Sequence, residues 1–255
     1  MADRVEAIAI EGLGEIVPGD DLPTLIADAL AAASGIETLR DDDVLVVTQK
    51  IVSKAEGAIV DLTTVEPSPV AIEFARRYDR DARQVEVVLR EAKRVVRMAN
   101  GVIITETQHG FVCANGGIDA SNVGPASGSI VTLLPRDPDA SADRIRAAIR
   151  ARLDHDLPAI VSDSFGRPWR FGIVDVAIGV SGLIPLDDLR GEPDADGRIM
   201  RSTVRAVADE LASAAELVLG KTARRPLALV RGATFRRGEG RVADALIPAE
   251  MDLFR

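Results

Sequence analysis

Short β-branched runs interleaved with helix-period segments constrain this chain more than any other feature. The strand-like runs lie at residues 5–10, 44–48, 102–105, 130–134, 158–162, 174–180 and 227–231. Helical spacing of apolar residues covers 22–33, opened by Asp20-Asp21. It recurs over 70–78 and 85–97, with Asp81 as the break between them, and over 140–153, opened by Asp137-Pro138-Asp139. The fifth segment, 203–219, is alanine-rich and closed by Gly220. This mixture predicts an α/β or α+β domain, and its alternation is too irregular for a doubly wound sheet. A length of 255 residues allows one large domain or two small ones, and a hydrophobic fraction of 47% supplies a core. No internal repeat or low-complexity linker interrupts it.

Charge and rare residues then remove whole classes of function. With 31 basic and 40 acidic residues the net charge is −9, which lacks the basic footprint of a nucleic-acid binder. The same balance argues against an anionic membrane surface as partner. Aromatic residues make up 3%, too few for platforms that stack single strands. One cysteine cannot form an internal disulfide, and with two histidines it cannot build a Cys/His zinc site. Any metal must therefore be held mainly by oxygen, which selects a hard ion such as Mg²⁺, Mn²⁺ or Ca²⁺. The first residues carry both charges and no apolar run, so no signal peptide is expected. The longest apolar stretch, 173–186, is broken by Asp175 and by glycines and is too short to span a membrane. A cytoplasmic protein is expected.

Three stretches read as loops and concentrate the polar chemistry: 109–124, 163–172 and 187–198. In the first, Asn115-Gly116-Gly117 is turn chemistry, followed by Asp119, Ser121 and Asn122. Either a turn with a helix cap, or a carboxylate for a hard cation with Asn122 on a ligand, accounts for it. In the second, Asp163 and Ser164 close an apolar strand and Arg167 and Arg170 follow. A carboxylate and hydroxyl at a strand end suit a metal beside phosphates, and guanidinium forks suit phosphate or carboxylate. A salt-bridged surface turn is the plainer alternative. The third has the oxygen density of a calcium loop without the EF-hand order, and a solvated acidic turn explains it equally well.

Gly220-Lys221-Thr222 imitates the end of a phosphate loop, but Ala215 stands where the first glycine belongs and a helix precedes rather than follows it. Lys221, Arg224 and Arg225 suit either a helix C-terminus or phosphates. Lys50 and Lys54 lie four apart, on one helical face. Cys113 reads as a small buried hydrophobe. His109 and His155 have no nucleophile arrangement, and no G-x-S-x-G is present.

Six stretches in order resemble one family: VLVVTQKIVSKAEG (44–57), HGFVCANGGIDASNVG (109–124), SDSFGRPWRFGIVDVAIGVSGL (162–183), D-x-x-G-x-x-D-x-x-G (188–197), VADE (207–210) and PLALVRG (226–232). The family is the F420-0 gamma-glutamyl ligases of the deazaflavin pathway. The resemblance implies a two-lobed α+β architecture, neither Rossmann nor P-loop, and usually an intertwined homodimer. It implies one gamma-glutamyl ligase unit of two interleaved lobes over 1–255, without the C-terminal flavin reductase domain of some relatives. The implied reaction joins L-glutamate to coenzyme F420-0 at the expense of GTP, giving F420-1, GDP and phosphate, with a second γ-linked glutamate often added. Mg²⁺ or Mn²⁺ is implied, and K⁺ with it. By position, Asp119, Asp163 and Ser164 are the implied metal ligands. The implied nucleotide contacts are Asn122, the backbone of Leu13, Gly14, Glu15 and Ile16, then Gln49, Lys50 and Lys54. The loop Leu219, Gly220, Lys221, Thr222, Ala223, Arg224, Arg225 and Pro226 completes them.

This chemistry agrees with the residues singled out on their own. A carboxylate does not condense with an amine at neutral pH, because oxide would have to leave. Transfer of the γ-phosphoryl group makes an acyl phosphate that an amine displaces, and the protein contributes position and charge. Lys54, Arg167 and Arg170 are the expected catalytic cations. The chain departs from the family pattern in three places. Ser164 stands where Thr is common, Gln49-Lys50 where many archaeal members have a Ser/Thr pair, and Lys221 where they have a Gln or Glu ligand. Lys221 is expected to replace part of one ion's charge. A ligase acting on a modified F420 precursor or a folate is the rival within the class, and a non-catalytic metal- and nucleotide-binding module is the rival outside it.

Overall fold

In a computed structural model that describes residues 4–33, 38–120 and 128–253, the chain begins β1 (Glu6–Ile10), α1 (Leu22–Ala32), β2 (Val44–Thr48), α2 (Gln49–Ala55) and β3 (Ile59–Asp61). It continues through α3 (Pro69–Tyr78), α4 (Ala82–Glu91), β4 (Arg94–Ala99), β5 (Val102–Glu106), β6 (Val112–Ala114) and β7 (Ile130–Thr132). Then come α5 (Pro138–Leu153), β8 (Ala159–Arg167), β9 (Arg170–Ser181), β10 (Asp187–Asp188), β11 (Val204–Arg205), α6 (Val207–Leu219) and β12 (Leu227–Arg231). This is an α+β fold, and no Rossmann or P-loop arrangement appears among the described residues.

The main sheet has the order β1-β12-β2-β8-β9, with β2 and β8 parallel and the other neighbours antiparallel. Its central strands are apolar on both faces, as strands covered twice must be. Leu45 and Val47 of β2 pack with Ile26 and Leu30 of α1 and Ile145 and Ile149 of α5. Val44 and Val46, one residue out of phase, pack with Leu211, Ala212 and Ala215 of α6. The period of two along one strand thus sorts the helices into two layers. A second assembly, formed by residues 59–120 and 128–132, comes between α2 and α5 in the chain. There α3 and α4 cover the antiparallel sheet β4-β5-β6 through Phe74, Val85, Val88 and Ile103.

Asp21 and Asp137, read as openers, and Asp81, read as a break, each accept a hydrogen bond from the first turn of a helix, α1, α5 and α4 respectively, so α4 starts at Ala82, ahead of the 85 foreseen. Four expectations need correction. The helix foreseen over 85–97 ends at Glu91, and Arg94–Ala99 is a strand. Val95-Val96 favours strand, and Asn100-Gly101, both at positive φ, forms the two-residue turn into β5. The loop foreseen at 163–172 is mostly hairpin, because β8 and β9 stay paired to Arg167↔Arg170 around Pro168-Trp169. The helix foreseen from 203 starts at Val207, since Val204–Arg205 pairs with Asp187–Asp188 inside the stretch read as a third loop. The strand foreseen over 130–134 stops at Thr132. No described helix is long and apolar enough to cross a membrane.

Candidate active site

Register places one end of the main sheet at the centre of the chemistry. Ile10 at the end of β1 faces Leu227 at the start of β12, which also faces Val47 near the end of β2. Thr48, the last residue of β2, lies beside Ser162 and donates its amide to Pro226 O. The segment after β1, the start of α2 and the 219–226 loop therefore meet at one edge. β8 runs on past this edge while β2 turns into α2, so beyond Ser162 no described strand pairs with it on that side. Asp163 and Ser164 occupy this stretch, at the carboxyl ends of the parallel pair, where open sheets leave a crevice for ligands.

Alternation sends the two side chains to opposite faces. Ser164 points toward α6, where its Oγ donates to Asp175 Oδ1 at 2.6 Å. Lys221 Nζ donates to Ser164 Oγ, to Asp175 Oδ1 (3.0 Å) and to Glu216 Oε1 (2.7 Å). Asp163 turns toward Cys113, Asp119 and Lys50. Burial pushes its carboxyl up to about 7; the Ser164 amide opposes this, and the Asp175 and Asp119 charges add to it.

Asp119 is positioned through its backbone, which exchanges hydrogen bonds with Thr132. The adjoining Leu133 carbonyl accepts from Gln49 Nε2 (2.8 Å) and Ser53 Oγ (2.6 Å). These two bonds fasten α2 to the residue that follows β7 and bring Lys50 Nζ to 2.6 Å from Asp119 Oδ2. Gln49 itself is buried and bonded inward. One turn later Lys54 Nζ reaches Glu15 Oε1 at 2.5 Å, joining α2 to the 11–16 segment. Leu13, Gly14, Glu15 and Ile16 line a cleft of about 940 Å³ against α1.

The structure thus places two groups at this sheet end, Asp163, Asp119 and Lys50 on one face of β8 and Ser164 and Lys221 on the other, with Lys54 one turn along the helix that carries Lys50. In the 219–226 loop, Leu219 is a core residue of α6 while Gly220, Thr222, Ala223, Arg224 and Arg225 are exposed, Arg225 pairing with Glu11. Pro226 is fixed by Thr48. Arg167 and Arg170 are not brought to the cluster within the described chain. They sit at the hairpin tip, Arg167 four residues beyond Asp163 on β8, or about 13 Å at strand rise, and Arg170 opposite it at the start of β9. Arg167 there donates to Phe171 O. Asn122 and Ser121 lie outside the described residues. Asp175 and Glu216 were missed from sequence, though a lone carboxylate inside the 173–186 apolar run was the signal for the first.

The side chains available are oxygen donors of the kind a hard divalent ion takes, the Asp119 and Asp163 carboxylates on one face of β8 and the Ser164 hydroxyl on the other, and no group of three or more His, Cys, Asp or Glu that could hold an ion occurs among the described residues. An ion that keeps its waters and shares substrate phosphates needs only such an open set. Cys113, packed beneath Asp163, is no nucleophile: burial first, then the Asp163 charge, pushes its thiol up to about 12. At pH 8 it stays a protonated thiol. A thiol reagent at that pH is expected to leave the folded protein unlabelled and to label it stoichiometrically in denaturant. Rapid labelling of the native chain would refute this placement.

Residues 12–232 match the family described as F420-0:Gamma-glutamyl ligase. The chain is 44% identical over 254 residues to the coenzyme F420:L-glutamate ligase of Methanothermobacter thermautotrophicus, covering 98% of this chain and 99% of that one. It is 44% identical to the protein of that name from Methanopyrus kandleri, covering 99% and 97%. The corresponding Methanocaldococcus jannaschii protein is 43% identical over 218 residues, or 85% and 86% of the two chains. The chain belongs to the F420-0:gamma-glutamyl ligase family.

Proposed function

We propose that this chain is a GTP-dependent ligase that joins L-glutamate to the terminal carboxylate of coenzyme F420-0. The observation that carries the reading is the meeting of Asp119, Asp163 and Ser164 with Lys50, Lys54 and Lys221 at one sheet end, in a chain of this family. The acceptor carboxylate attacks the γ-phosphorus of GTP, the bond to the β-phosphate oxygen breaks, and GDP leaves. The glutamate amine then attacks the acyl carbon, phosphate departs, and the amine loses a proton as the amide forms. A second glutamate is added by the same two steps, the γ-carboxylate of the first glutamate being phosphorylated and the amine of the incoming glutamate displacing the phosphate.

Asp119, Asp163 and Ser164 would hold Mg²⁺ or Mn²⁺, with K⁺ as a further cation of the site. When bound, the divalent ion neutralises charge on the transferring phosphoryl oxygens. The chain's own part is to position and to balance charge. The 11–16 segment and the 219–226 loop flank the nucleotide, and Lys50 and Lys54 exchange their carboxylate partners for phosphate oxygens. Arg167 and Arg170 offer guanidinium forks to the anionic acceptor. Homodimerisation belongs to the same reading, and the exposed Trp169 and Phe171 at the hairpin tip supply apolar surface for it.

Mass spectrometry of purified protein with GTP, Mn²⁺, L-glutamate and F420-0 tests the reading. A product heavier by one glutamyl unit, with GDP formed in step, is expected. Neither glutamyl gain nor GDP would reject it.

A further inference from the structure

Asp175 stands apart from the residues gathered so far, because its surroundings would suit an apolar side chain better. It is 3% exposed on β9, on the face where Ala177 and Val180 pack against α6. A carboxylate there is desolvated and persists only with partners. Those partners converge on the candidate site. Ser164, directly opposite in the β8–β9 ladder, donates Oγ–H to Oδ1 at 2.6 Å, and Ser162 donates to Oδ2 at 3.3 Å. Lys221 donates to Oδ1 at 3.0 Å. The backbone of Asp175 is held as well, its amide by Glu216 Oε2 and its carbonyl by Ser213 Oγ.

We propose that Asp175 is the positioning residue for the Ser164 hydroxyl. The inference rests on the reading of Ser164 as an ion ligand. A serine hydroxyl carries one proton and two lone pairs, and it coordinates a cation only through a lone pair. Asp175 takes the proton inward, so the oxygen presents its lone pairs away from the carboxylate. One of these accepts from Lys221. The same carboxylate holds the Lys221 ammonium beside the hydroxyl, so a fixed positive charge and an oriented oxygen arrive together. Acceptors behind a ligand of this kind set its orientation and basicity, and their loss typically weakens metal binding about 10- to 100-fold.

The test is Mn²⁺ affinity of the nucleotide-free protein, read from the electron paramagnetic resonance signal of the free ion. Asp175→Asn is expected to weaken Mn²⁺ binding about 10- to 100-fold, with its melting curve confirming the fold. Asp175→Glu keeps the charge but displaces the acceptor, and the same loss is expected from it should the asparagine variant fail to fold. Ser164→Ala is expected to lose as much, and adding Asp175→Asn to it to lose little more. Wild-type affinity in a folded Asp175 variant, or losses that multiply in the double variant, would overturn the proposal. Wild-type affinity in Ser164→Ala, or no binding by the unaltered protein, would instead remove the ion reading on which it stands.

Discussion

Replacing Asp163 by asparagine is expected to end ligation and, in metal-free protein at pH 8, to raise the midpoint of thermal unfolding. The two effects have one cause. Burial, reinforced by the Asp175 and Asp119 charges, lifts the folded-state carboxyl to about 7 from an ordinary 3.8. Below pH 3.8 the group is protonated in folded and unfolded chains alike and has no effect. Between 3.8 and about 7 the unfolded chain ionises first, so stability falls as pH rises; above 7 the full penalty is present. Asparagine carries no charge to desolvate, so its advantage should be largest at pH 8 and shrink toward pH 5. The same ionised carboxylate is the group a divalent ion would need. Removing one element of transition-state charge stabilisation commonly lowers kcat by about 10²–10³, and a direct ligand should sit at or beyond the upper figure. A variant that turns over near the wild-type rate would take Asp163 out of the site. A variant less stable than wild type at pH 8 would contradict the desolvation argument.

Much of this site was legible in the sequence because its parts obey local rules. β2 and β12 read as strands from their short apolar runs, Asp137 opens the segment that becomes α5, and Asp81 marks the break ahead of α4. The motifs at 44–57, 109–124 and 162–183 carry most of the clustered side chains. What could not be read was set by long-range pairing. Asp163 and Ser164 look like neighbours at a strand end, yet the continuing β8–β9 ladder sends them to opposite faces of the sheet. That ladder also lifts Arg167 and Arg170 to a hairpin tip, away from the cluster they were expected to join. Asp175 drew notice only as an interruption of an apolar run, because its partners Ser164 and Lys221 are 11 and 46 residues away. Gln49 reads as a ligand contact from its place in a motif, whereas its bond to Leu133, 84 residues on, makes it a fastening for α2.

The second large effect is expected at the other end of the same strands. Asp43, fully buried before β2, accepts from Arg231 Nε at 2.6 Å and from Arg231 Nη2 at 2.7 Å. Arg231, the last residue of β12, also donates to Thr38 O, and Asp43 accepts from the Arg40 amide. Asp43→Ala leaves a buried guanidinium without its carboxylate, a change that costs about 3–5 kcal/mol. For a chain of this size each kcal/mol moves the melting midpoint by about 2–4 °C, so a drop of roughly 6–20 °C is expected in calorimetry. Four residues of strand, about 13 Å, separate the pair from the site end, so kcat at 25 °C should stay within about twofold of wild type. A companion variant, Asp43→Leu with Arg231→Met, removes both charges together and should recover much of the loss, because the penalty comes from the orphaned charge. A midpoint within about 2 °C of wild type for Asp43→Ala would show that the pair contributes little to the fold. A matching fall in kcat would show instead that the two ends of the sheet are coupled, which packing this regular across β2 and β12 does not predict.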